Sequence, residues 1–191
     1  MQYVVTMADY EVSGAYVDAV LRSLKTSPHF AALKRKLDLP VLAMVENPWS
    51  ETWHPALHME ALGDAAIAAI GGAAFEELAY GAVRDRFGPI VLPMLKSTLA
   101  SSNRSPAAVL SKLESVVTVA MRGVGISWKP EPESPNEGLL QINYPRPVAA
   151  HVEGSWRGVL RYVFEVTQAT GRVERSRQSP TGNSLQYLVS W

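Results

Sequence analysis

The chain contains no cysteine. Disulfide scaffolds, thiol catalysis, iron–sulfur clusters and cysteine-based zinc sites are therefore excluded. It also lacks an excess of either charge, with 18 Lys and Arg against 18 Asp and Glu. Sequence-independent binding to nucleic acid or to an acidic membrane depends on a basic surplus, so neither partner is expected. Long apolar runs are missing. The most apolar stretch, Ala61 to Phe75, is interrupted by Asp64 and followed by Glu76 and Glu77, short of the roughly 18 apolar residues of a membrane span. Met1 to Met7 has no basic segment and leads into Asp9 and Glu11, which reads as a strand rather than a signal peptide. A cytoplasmic location is the expectation.

Several catalytic signatures are absent as well. There is no Gly-x-Gly-x-x-Gly, no P-loop and no Gly-x-Ser-x-Gly nucleophile turn. Glu76 and Glu77 are neighbours that point apart on a helix, and Glu131 and Glu133 lie in a proline-rich stretch, so neither pair forms an acid/base site. The expectation is a protein that is not an enzyme and carries no cofactor.

What is present is ordinary globular composition: 191 residues, 47% hydrophobic and 19% charged. A chain of this length buries roughly 70% of its unfolded surface without a covalent or metal staple. We expect one domain over 1–191, with a mainly helical part (1–122) and an antiparallel β part crossed by one helix (123–191).

The patterning supports that division. Tyr3, Val4 and Val5 form a β-prone run. Ser13-Gly14 opens a helix whose apolar stripe is Tyr16, Val17, Val20, Leu21 and Leu24. Ser27-Pro28 and Ser105-Pro106 each read as a helix start with Ser as N-cap and Pro in the first position. Pro40 to Pro48 reads as a loop. A helix is expected from His54 to about Ile70, broken by Gly71-Gly72. The next runs through Phe75 and Ala82 and is stopped by Gly88-Pro89, and another short one carries Val91, Leu95 and Leu99. A single stripe then runs from Val109 to Ala120. In the last third, Ile126-Ser127-Trp128 is β-prone and Pro130 to Pro135 reads as an exposed loop. Leu140, Ile142 and Tyr144 alternate as a half-buried strand. Val152, Trp156, Val159, Leu160 and Val163 restore helical spacing. Arg172 to Arg177 is a charged strand, Ser179 to Asn183 a turn, and Leu185, Tyr187, Val189 and Trp191 a terminal strand. The fold class is α+β.

Three constellations could bear function. His54 and His58, four apart, would share a helix face and could hold a metal for a hydrolase, but a third and fourth ligand and a base between them are missing. No metal is therefore assigned. Arg172, Arg175 and Arg177 would decorate a strand, most simply as a solvated face. Of the five tryptophans, Trp49 and Trp53 follow Pro48 in a loop, where such rings either close the core or form an interaction surface.

The order of these signals carries a resemblance. Val12-Ser13-Gly14, the Ser-Pro helix with Leu33 and Leu37, Leu62-Gly63, Gly71, Val152-Glu153-Gly154, Gly171 and the terminal Leu185 to Trp191 together resemble a myxobacterial paralogous family of uncharacterised proteins of similar length. Its C-terminal half is similar to the haem nitric-oxide/oxygen-binding domains and to the vinyl-reductase-associated ligand-binding domains. The resemblance implies a helical part packed on an antiparallel sheet with a crossing helix, and a small-molecule pocket between them. Trp128, Tyr144, Trp156 and Leu160 are the candidate lining residues. The haem-binding relatives place a proximal histidine on the helix before the sheet, whereas Ser105 to Arg122 contains none. They hold the propionates with Tyr-x-Ser-x-Arg, whereas Tyr144-Pro145-Arg146-Pro147-Val148 keeps only the Tyr. The expectation is a regulatory or sensory domain for a small apolar ligand or a protein partner, without haem. The alternative is a homo-oligomeric interaction module without a ligand, with Leu185 to Trp191 as a pairing edge.

Overall fold

In a computed structural model, residues 10–149, 151–175 and 182–191 are described. The β-prone run at Tyr3 to Val5, most of the Ser179 to Asn183 turn and Arg177 lie outside them. The side chains of Arg86 and Phe87 are likewise not described.

The chain enters through β1 (Glu11–Ser13), and Ser13 caps α1 (Gly14–Leu24) by accepting the Tyr16 N–H at 3.2 Å. The second helix is shorter than the Ser27-Pro28 signal suggests. Ser27 accepts the His29 N–H within a turn, and α2 spans only Phe30–Lys34. Between Leu39 and Glu46 the expected loop is instead helix α3. Asp38 accepts the Val41 N–H at 3.1 Å, and Pro40 occupies the first turn, where a missing N–H costs nothing. A breaker in the interior of a helix is thus a starter at its first turn.

His54 belongs to β2 (Trp53–Pro55), and the following helix α4 begins at Ala56 and runs to Ile70. Gly71, at φ 84°, makes the break that a side chain would resist. Helix α5 (Gly72–Ala82) is not ended by Gly88-Pro89. It passes through a π-helical turn (Val83–Phe87) into α6 (Gly88–Ser101). The wider turn lets the chain continue through the proline, and Gly88 admits the Tyr162 ring where a Cβ would collide. The stripe from Val109 to Ala120 is divided into α7 (Pro106–Leu110) and α8 (Leu113–Val117).

β3 (Met121–Arg122) returns beside β1, giving a small antiparallel sheet of order β2-β1-β3. The larger sheet follows. β4 (Gly125–Glu131) and β5 (Ser134–Asn143) form a hairpin across the stretch expected as a loop. Pro130 is tolerated there because β4 is an edge strand. α9 (His151–Thr167) then crosses to β6 (Arg172–Arg175), and β7 (Ser184–Ser190) inserts between β5 and β6. The sheet order β4-β5-β7-β6 is antiparallel throughout.

The inward rows are set by register. Leu140 opposes Tyr187 and Ile142 opposes Leu185, all buried. α9 packs on α5 at Gly158, where an added Cβ would stand 2.7 Å from the Tyr80 nitrogen. The buried apolar residues form one continuous cluster from Tyr10 to Val189. The α+β architecture expected from the sequence is the one observed.

Candidate ligand-binding site

The helices around α9 do not close completely. They leave an apolar cavity of about 100 Å³. Its walls include Val20 from α1, Phe75 from α5, Leu95 from α6, Val109 from α7, Leu113 from α8 and Val159 from α9. Each helix supplies a branched or aromatic side chain because its buried stripe has only apolar neighbours to meet.

One end of the cavity is polar. Glu60, 7% exposed, accepts the Tyr10 hydroxyl at 2.5 Å through Oε1 and an Arg146 N–H at 2.8 Å through Oε2. The guanidinium stands over the Tyr10 ring, and Tyr10 meets Tyr144 edge to face. The Trp156 indole donates to the Tyr144 hydroxyl at 2.5 Å. Burial, with the Glu60 hydrogen bond second, pushes the Tyr10 hydroxyl well above its ordinary value. Burial does the same to Tyr144, and pushes Tyr16, also at the cavity, up to about 12. These phenols stay neutral at physiological pH.

Of the sequence-derived candidates, Tyr144 and Trp156 line the cavity together. Trp128 lies elsewhere: it covers Gly138 on the sheet and packs 6.0 Å from Trp191. Leu160 is fully enclosed in the core and is not part of the cavity wall. Trp49 is 62% exposed, whereas Trp53 lies in β2 under the Arg122 guanidinium, 4.7 Å from its ring centre. His54 is turned to the Pro48 carbonyl, 2.8 Å away, and sits in a strand, so it does not share a helix face with His58. Among the described residues no three metal-ligating side chains cluster. Arg172 and Arg175 pair with Glu174 and Glu153.

Sequence reasoning passed over the Glu60–Arg146 pair, whose partners are 86 residues apart. The one available signal was Arg146 standing two places after Tyr144, noted only as a departure from a motif.

No protein-family model and no curated protein matches the sequence. Solved structures match the fold. A point variant of the Fe(II) unliganded H-NOX protein from K. algicida aligns with a TM-score of 0.66 at 9% identity, over 93% of this chain and 95% of that one. The Fe(II) unliganded H-NOX protein from K. algicida gives 0.62 at 10%, over 93% and 95%. An oxygen-binding H-NOX domain related to soluble guanylate cyclases, in its oxygen complex, gives 0.58 at 8%, over 93% and 94%. The fold is H-NOX-like; at such identities the likeness concerns architecture alone.

Haem, which the resemblance to the haem-binding domains raises, does not fit the residues present. The segment before the sheet offers the cavity Val109, Leu113, Val116 and Val117, none of which can ligate iron. Arg146 is engaged by the chain's own carboxylate, Glu60. The cavity's histidine, His151, has its Nδ1 held 2.9 Å from Asp64 and its ring packed against Gly63 and Phe75. A cavity of about 100 Å³ is smaller than the ~150 Å³ engineered cavity that takes one benzene, far short of a porphyrin.

Proposed function

We propose that this protein is a non-catalytic sensory or regulatory domain of the cytoplasm that binds a small apolar ligand, without haem, and that it is a relative of the myxobacterial paralogues. The observation that carries the reading is the apolar cavity between the helices of an H-NOX-like fold, with aliphatic side chains on the segment before the sheet. A well-packed core of this size has few voids larger than a water molecule, and an apolar void costs stability unless a ligand fills it. Tyr144 and Trp156 form its polar end, and occupation would be transmitted through α9 to the sheet.

A second reading, a protein-interaction module, is favoured by the exposed Leu39, Trp49 and Leu57. Native mass spectrometry of protein purified from its own host separates the two. The expected result is a chain carrying a small organic molecule and no haem. A haem adduct contradicts the proposal, and a ligand-free oligomer favours the interaction reading.

A further inference from the structure

The polar end of the cavity is unevenly satisfied. Both Glu60 oxygens already take a donor, one from Tyr10 and one from Arg146. The Ser155 hydroxyl donates to the His151 carbonyl, and His151 Nδ1 faces Asp64. Tyr144 differs. Its oxygen accepts the Trp156 N–H, and an indole nitrogen can only donate. The Tyr144 hydroxyl hydrogen must therefore find another acceptor, and none is present among the described residues. Tyr144 is 4% exposed and part of the cavity wall, so bulk water does not serve it. A buried donor without an acceptor is costly, and a bound molecule that supplies one recovers that cost.

We propose that the ligand is a neutral apolar molecule bearing one hydrogen-bond acceptor, an ether or a carbonyl, that receives the Tyr144 hydroxyl. This rests on the ligand-binding reading above. An anionic acceptor is disfavoured because Arg146 is already committed to Glu60, so an anion would be stripped of water with no counter-charge in the described wall. A cation finds Glu60 already neutralised by Arg146 and would be stripped of water without recompense. Burial holds the Tyr144 phenol in its protonated, donating form. The apolar body would rest on Leu113 and Val159. With a cavity of about 100 Å³, below the ~150 Å³ that takes one benzene with room to spare, the molecule is no larger than a single five- or six-membered ring.

Tetrahydrofuran and cyclopentane differ by one ether oxygen in place of a methylene and serve as matched probes. NMR titrations of both are run on the wild-type protein and on Tyr144→Phe. The ether begins with a solvation handicap, so the informative quantity is the ratio of the two affinities. That ratio is expected to fall about tenfold on Tyr144→Phe, the scale of one buried hydrogen bond. On the wild-type protein alone, the Trp156 indole N–H resonance is expected to move downfield with tetrahydrofuran and not with cyclopentane, because a hydroxyl that donates becomes a better acceptor. This second readout stands even where the variant fails to fold. Binding of both probes with an unchanged ratio, or equal indole shifts, overturns the acceptor proposal and leaves the cavity reading intact. Failure of both probes to bind overturns the two together.

Discussion

Raising the pH above about 10 is expected to unfold this protein in one cooperative step. Tyr10, Tyr144 and Tyr187 are all at least 95% buried, and burial pushes each hydroxyl well above its ordinary value. For Tyr10 the Glu60 hydrogen bond adds to burial, and for Tyr187 the nearby Glu153 charge does. In the unfolded chain all three titrate near 10. Above that pH the unfolded state releases protons that the folded state retains. The stability these phenols contribute is complete below pH 10 and is lost as pH rises toward their folded values. Each group costs about 1.4 kcal/mol per pH unit, and the three together about 4 kcal/mol per unit. Tyr16, raised to about 12, adds to the same window. A domain with about 5–15 kcal/mol of stability is exhausted within one to a few pH units. Circular dichroism and tyrosinate absorbance recorded together check this. The buried phenols should ionise in step with the loss of helix, and Tyr187→Phe should reduce the slope between pH 10 and 12 by about a quarter. Smooth ionisation near pH 10 with helix intact would show that these rings are not sealed.

Removing the Trp156 ring has the second large effect. Trp156, 2% exposed, is the bulkiest fully enclosed side chain, and it joins α9 to Tyr144 through its N–H. Trp156→Ala is expected to cost about 3–5 kcal/mol, the range for deleting a buried aromatic. Part of that is the lost transfer energy and part the enlarged cavity. Trp156→Phe keeps most of the apolar bulk and is expected to cost about 1–2 kcal/mol, chiefly the N–H bond to Tyr144. Urea unfolding at neutral pH measures both. The alanine variant should also accept larger apolar molecules than the wild-type protein, since its added void adjoins the existing one.

Elements with local chemistry, or with an alternation long enough to read, as in β5 and β7, were legible in the sequence; the shortest strands, made by distant pairing alone, were not. Ser13 announces α1 because its side chain binds a backbone N–H three residues on. Gly71 announces the break after α4 because only glycine adopts that φ cheaply. Asp38-Leu39-Pro40 carried the same kind of signal for α3, but Pro40 and Pro48 together read as breakers. β1, β2 and β3 have three, three and two residues, too few to show an alternation, and exist because they pair with one another. The Pro130 to Pro135 stretch is composed like a loop, yet its backbone pairs as a hairpin, because Pro130 lies on the edge strand β4 and Pro135 on the end of β5 that extends past its pairing with β7. The candidate site follows the same rule. Tyr144 and Trp156 stood out as aromatics near the crossing helix. The aliphatic wall did not, because a stripe such as Val109, Leu113, Val116 and Val117 looks alike whether it meets a neighbour or a void. The Glu60–Arg146 pair depends on tertiary structure alone.

The central claim is that the helices leave a cavity between them that takes a small apolar molecule. Xenon-pressurised crystals test it most directly, since xenon enters dry apolar cavities and scatters strongly. The account predicts one strong xenon peak inside the cavity that Leu95, Leu113, Val159, Tyr144 and Trp156 line. Electron density showing these side chains in mutual contact, with no xenon between them, would contradict it.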